Sequence, residues 1–229
     1  MVHTIQLALF IALMLLGGTA DAVDDAALAW AALSGDGHVA LIRHASAPGV
    51  GDPSAYKLDD CATQRNLSEQ GRAEAAALGA RFRMQRVKVG KVVSSQWCRC
   101  KQTAELMNIG PVEDAPTFNN AFVLNTVRDE LTAGARAVID AWRGPGTLVV
   151  VTHDENIQLM LGLRPREAEI IVVTPNPTSQ KGCDLSAGLR RPEVRPMIPT
   201  SSLDTSALLE RHALLGQFLF CLLVLDQVG

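Results

Sequence analysis

Three short apolar runs in this chain end in polar residues able to do chemistry. Val39-Ala40-Leu41-Ile42 stops at Arg43-His44, and Lys91-Val92-Val93 stops at Ser94-Ser95 and leads into a polar segment containing Arg99. Thr147-Leu148-Val149-Val150-Val151 stops at Thr152-His153. Runs of this length, rich in β-branched residues, predict strands buried on both faces. Residues 169–173 read as a last strand. Between the strands the spacing turns helical. Ala75, Leu78, Gly79 and Phe82 mark the sheet-facing side of a helix that Ser68 caps and that runs to about Gln85. Leu131, Ala135, Val138 and Trp142 mark another over residues 126–142, ended by Gly144-Pro145-Gly146. A helix over residues 25–33 and a Ser34-Gly35-Asp36-Gly37 turn precede the first strand. Strands alternating with helices predict an α/β fold, a three-layer sandwich with a largely parallel central sheet and helices on both faces.

In open α/β sheets, ligands bind beyond the carboxyl ends of the strands, so Arg43, His44, Arg99 and His153 are placed to converge on one pocket. A strand-terminal Arg-His pair alone is equally a solvated sheet edge; two further strands ending near Arg99 and in His153 turn the reading toward a site. An imidazole is a nucleophile, and forked guanidinium donors match the oxygens of a phosphoryl group.

These segments resemble the histidine phosphatase superfamily, the fold shared by phosphoglycerate mutases and histidine acid phosphatases. The resemblance spans about residues 36–177. It rests on Leu41-Ile42-Arg43-His44, on Asn66-Leu67-Ser68-Glu69-Gln70-Gly71-Arg72 entering the first core helix, on Ser94-Ser95 through Arg99 to Gln102-Thr103-Ala104, and on Val151-Thr152-His153. It implies that His44 attacks phosphorus and becomes a phosphohistidine, while Arg43, Arg99 and His153 hold the non-bridging oxygens, with no metal and no cofactor. The general acid is where the chain departs from part of the family. The mutase-like branch has a glutamate where this chain reads Pro116-Thr117-Phe118-Asn119-Asn120-Ala121-Phe122. The acid phosphatase branch has an aspartate after its second histidine, and Asp154 matches it, although an acidic residue there also suits a helix first turn. Asp59 and Asp60 are alternatives on the loop after the nucleophile.

The first residues bear on where the chain works. Ile5 to Leu16 form an apolar run of the length of a signal-peptide core, and Ala20-Asp21-Ala22 reads as a cleavage site, although no Lys or Arg precedes the run. The expected organisation is a signal peptide over residues 1–22, a histidine phosphatase domain over 23–177 and a C-terminal extension over 178–229, with a periplasmic or secreted location. An uncleaved hydrophobic anchor is the alternative. Cysteine usage suits an oxidising space: Cys61 is expected to pair with Cys98 or Cys100, with Cys98 favoured. A three-thiolate metal site competes, but the spacing is not that of a zinc site.

Composition adds little beyond this. The formal net charge of −3 over 229 residues gives no electrostatic footprint for nucleic acid. The apolar run over residues 213–225 is short for a membrane span, so no stable span is expected in the mature form. The expectation is a phosphatase acting on a small phosphorylated substrate. Exported relatives that the chain resembles include enzymes acting on phosphorylated envelope sugars, which makes a sugar phosphate the leading guess. A phosphohistidine protein phosphatase and a binding module without turnover are the alternatives.

Overall fold

A computed structural model describes residues 20–175 and 183–184. The chain divides into two compact units, Met1–Arg195 and Pro196–Gly229, and every described residue belongs to the first. Most of the expected leader and nearly all of the C-terminal extension, including the 213–225 run, lie outside the described residues.

The elements follow in the order α1 (Ala20–Leu33), β1 (Val39–Arg43), α2 (Glu69–Met84), β2 (Val89–Ser94), α3 (Cys98–Met107), β3 (Val112–Asp114), α4 (Arg128–Ala141), β4 (Thr147–Thr152), α5 (Asp154–Leu161), β5 (Ile170–Pro175) and β6 (Cys183–Asp184). The strands form one sheet in the order β3-β2-β4-β1-β5-β6. The first four run parallel to their neighbours, whereas β5 pairs antiparallel with β1, and β6 antiparallel with β5.

Alternation along the strands builds two cores. Ala40, Ile42, Val149, Val151 and Val92 point to one face, where they meet Trp30 and Leu33 of α1, Leu78 and Phe82 of α2 and Met107 of α3. Val39, Leu41, Leu148, Val150 and Val93 point to the other, against Ala135 and Ile139 of α4 and Ile157 and Met160 of α5. Helices thus cover both faces, as the pattern predicts. Each large side chain so buried stabilises the fold by about 1.5–3 kcal/mol relative to exposure.

Ser68 caps α2 by accepting a hydrogen bond from the Gly71 amide, and Ala75, Leu78, Gly79 and Phe82 are all buried. The expected α4 stripe needs correction. Ala135 and Ile139 are the buried pair, and Val138 is exposed, because the core-facing line runs four residues from Ala135 rather than three. The chain also reaches α4 through a 3-10 turn at Asn125–Val127 instead of starting the helix there.

Two glycines bring backbone close to α2. A Cβ on Gly71 would stand 2.1 Å from the Ser46 carbonyl oxygen, and one on Gly79 would stand 1.8 Å from that of Met107. Gly71 therefore lets the segment following His44 lie directly against the start of α2, and Ser68 returns two hydrogen bonds to the Ser46 carbonyl, from its amide and its hydroxyl. The path of the chain just beyond the nucleophile candidate is fixed by this contact.

Candidate active site

Strand register places the two histidines side by side. Arg43 of β1 pairs with Thr152 of β4, so His44 and His153 each lie one residue beyond a matched pair at the same sheet edge. The His44 amide donates to the Thr152 carbonyl, and on the other side of β4 the Ser95 amide donates to that of Val151. The imidazole centroids are 5.5 Å apart. Arg99, in the first turn of α3, enters between them.

The hydrogen bonds fix the tautomers. Nδ1 of His44 is 2.8 Å from its neighbour Ala45's carbonyl, which can only accept, so Nδ1 carries the proton. Nε2 is left with its lone pair, and Arg99 Nε donates toward it across 3.3 Å. Nη2 of Arg99 lies 3.4 Å from His153 Nδ1 and must likewise be the donor. His153 therefore carries its proton on Nε2 and donates to Ser95 Oγ at 3.0 Å, and Ser95 Oγ in turn donates to Asn119 Oδ1 at 3.3 Å. Asn119 is held from behind, its carbonyl accepting from Asn156 Nδ2 at 2.8 Å.

Burial keeps both rings neutral. Loss of solvent, with the nearby Arg99 charge adding to it, lowers His44 from its ordinary 6.5 to about 3. The same causes, in the same order, bring His153 well below its ordinary value. Cys100 lies 3.5 Å from His153 Nε2, and burial raises its thiol to about 12, so it acts as an apolar wall.

Arg43 contributes differently. Its Nη1 donates to the Pro165 carbonyl at 3.0 Å, and its guanidinium stands 3.8 Å from both Asp154 and Glu167. Its Nε is buried and has no hydrogen-bond partner. An orphaned buried donor on a cation is costly unless an anion takes it up, and this one lies one residue before His44 in the chain.

Asp154 opens α5 together with Glu155, in line with the helix first-turn alternative. Its carboxylate accepts from Arg164 Nη1 at 2.7 Å and stands 3.8 Å from Arg43, so it lies between two guanidinium groups. Of the other acid candidates, Asp60 accepts from the Ala62 amide to cap a 3-10 turn, and Asp59 is exposed. The Phe118 to Phe122 segment brings amides rather than a carboxylate: Asn119 to Ser95, and Asn120 Oδ1 to the Phe122 amide.

Four participants escape sequence reading. Asp52 has a fully buried carboxylate on which Arg99 Nη1 donates to both oxygens, at 2.9 and 3.1 Å. Trp97 Nε1 donates to the same carboxylate at 3.0 Å, and the Arg65 amide at 3.1 Å. Arg65 itself donates from Nε to the Gly51 carbonyl at 2.9 Å and from Nη1 to that of Ala47. Ser95 and Asn119 complete the set. The loop bearing Asp52 is further tied down by the Cys61–Cys98 disulfide, the favoured pairing, which removes two of the three thiolates a metal site there would have needed. Among the described residues no His, Cys, Asp and Glu cluster could hold a metal ion.

Residues 39–122 match the family model described as histidine phosphatase superfamily (branch 1). Over this stretch the chain is similar to that superfamily. The matched stretch contains Arg43, His44 and Arg99; His153 lies beyond it and is brought to them by the pairing of β4 with β1. No curated protein matches the chain. Solved structures that it resembles include the protein histidine phosphatase SixA complexed with tungstate, at 19% identity and a TM-score of 0.43, covering 61% of this chain and 88% of that one. The alpha-ribazole phosphatase from Shigella flexneri is 16% identical with a TM-score of 0.46, covering 64% and 93%. A mycobacterial glucosyl-3-phosphoglycerate phosphatase is 17% identical with a TM-score of 0.43, covering 60% and 90%.

Proposed function

We propose that this chain is a phosphatase that hydrolyses a phosphomonoester through a phosphohistidine at His44. The observation that carries the reading is the state of His44: neutral, protonated on Nδ1, with the Nε2 lone pair turned toward Arg99 and His153. In the first step Nε2 forms the bond to phosphorus while the bond to the ester oxygen breaks, and the leaving alkoxide takes a proton. In the second, water attacks phosphorus, the P–N bond breaks, and inorganic phosphate leaves with His44 restored. Arg43, through its unpartnered Nε, together with Arg99 and His153, faces the charge spread over the equatorial oxygens. No step requires a metal.

Asp154 is our first choice as proton donor to the leaving oxygen, because it stands beside Arg43 at the same sheet edge. To donate, it must exchange its place against Arg164 for the substrate. The apolar run and cleavage pattern at the start of the chain support export to the periplasm or beyond, and a sugar phosphate of the envelope fits that location. A phosphohistidine protein phosphatase is the second reading; the absence of an acid from the Asn119–Phe122 segment favours it, since a leaving imidazole needs less protonation than an alkoxide.

The test is turnover of a panel of alkyl phosphates, sugar phosphates, p-nitrophenyl phosphate and phosphohistidine by the purified protein, with and without chelator. Chelator-resistant turnover that His44→Ala abolishes, with acid-labile phosphate label trapped on His44, is the expected result. Asp154→Asn should slow the alkyl esters far more than p-nitrophenyl phosphate, whose leaving group needs little protonation. Phosphate binding without turnover on any ester would replace the reading with a binding module.

A further inference from the structure

Every nitrogen of the Arg99 guanidinium has a partner within the protein. Nε faces His44, Nη2 faces His153, and Nη1 is taken by both oxygens of Asp52. The carboxylate accepts four hydrogen bonds from three residues, two from Arg99 Nη1 and one each from Trp97 Nε1 and the Arg65 amide, and neither member of the ion pair is exposed to solvent. A buried ion pair of this kind adds little net stability, because removing both charges from water offsets their attraction. What it determines is orientation. A planar guanidinium held at Nη1 is left with Nε and Nη2 to present, and these are the nitrogens turned to the two imidazoles.

The surroundings add a second effect. Arg65 lies close enough to lose some basicity, first to burial and then to repulsion from Arg99, and the Asp52 charge works against that loss. Three guanidinium groups, those of Arg43, Arg65 and Arg99, bear on His44 electrostatically. These three groups draw inorganic phosphate, a dianion, strongly, and buried Asp52 offsets part of that charge at Arg99, as Asp154 and Glu167 do at Arg43.

We propose that Asp52 is a positioning residue for phosphoryl transfer: it aims the inner edge of Arg99 at the space between His44 and His153 and trims the pocket's positive charge so that product phosphate is released. The proposal rests on reading Arg99 as a phosphoryl-binding group. It gives the loop of residues 49–60 a catalytic purpose beyond enclosing substrate, with Asp52 anchored on Trp97, next to the disulfide of Cys98.

The experiment is Asp52→Asn in the full chain, beside Trp97→Phe, which removes only the indole donor, and Arg99→Ala. Each is assayed for kcat and KM on whichever phosphomonoester the wild type turns over and for calorimetric binding of inorganic phosphate. In Asp52→Asn, kcat should fall by roughly 10- to 100-fold, the scale of a misaimed catalytic group, while phosphate binds several-fold more tightly than in wild type. Trp97→Phe should move both quantities the same way by less, and Arg99→Ala should lose phosphate binding. Wild-type kcat and phosphate affinity in Asp52→Asn would overturn the proposal. So would a parallel loss of kcat, phosphate affinity and Tm with Trp97→Phe unchanged, which marks a purely structural pair. If Asp52→Asn fails to fold, Trp97→Phe decides by the same opposed shifts. If the wild type turns over no phosphomonoester, the phosphatase reading fails by itself, and phosphate binding still decides whether Asp52 limits anion affinity through Arg99.

Discussion

Nε of Arg99 donates to Nε2 of His44 across 3.3 Å, so the lone pair expected to attack phosphorus is engaged by a cation. The contact holds the ring in the attacking orientation and must lengthen as a phosphoryl group slides between the two. A lysine could supply the charge but not three N–H directions fixed in one plane. Arg99→Lys is therefore expected to lower kcat/KM by about 100- to 1,000-fold, close to the effect of Arg99→Ala, as read by steady-state kinetics. Recovery to within a few-fold of wild type would mean that charge alone suffices.

The two buried histidines make stability depend on pH in a definite direction. The unfolded chain takes up protons on both rings near 6.5, whereas folded His44 stays neutral down to about 3 and His153 is also lowered well below its ordinary value. Below 6.5 the unfolded state thus holds more protons than the folded one, and stability falls as pH falls. Two such groups give a slope of up to about 3 kcal/mol per pH unit within that window. Tm measured from pH 7 down to pH 4 should drop steeply, and His44→Gln should flatten the curve by about half. A pH-independent Tm would show that the rings protonate in place.

The disulfide should matter twice. Its cysteines are 37 residues apart in sequence, and closing a loop of that size constrains the unfolded chain by an amount worth about 4 kcal/mol in the entropic account. Reduction, or the double substitution Cys61→Ser with Cys98→Ser, should lower the denaturant midpoint accordingly. Because Cys98 is adjacent to Arg99, kcat should fall under conditions where the protein is still folded. Full activity in the reduced, folded protein would separate the disulfide from the site.

The parts of this architecture legible in sequence are those governed by local pattern. Buried strands, the capped start of α2 and the strand-end positions of Arg43, His44 and His153 each leave a mark within a few residues. The antiparallel direction of β5 leaves none, since alternation reads the same either way along a strand. β3 is three residues with no fully buried side chain, too short and too exposed to stand out. Asp52 and Asn119 were invisible for another reason. Their meaning lies in partners 47 and 24 residues away, Arg99 and Ser95, and nothing in Gly51-Asp52-Pro53 or Phe118-Asn119-Asn120 distinguishes them from ordinary loop polar residues. The Cys61 and Cys98 pair, by contrast, was a long-range contact whose chemistry announced itself.

The strand order has a mechanical consequence. β1 lies inside the sheet between β4 and β5, and its pairs with both run almost to its last residue. A side chain mounted directly after such a strand cannot be displaced by fraying at an edge or by a loop swinging open; moving it means unzipping ladders on both sides. The amides of Leu41 and Ile42 should be among the slowest to exchange with deuterium. On warming, the nucleophile should keep its address until the whole sheet gives way, so that heat would switch this protein off in one cooperative event.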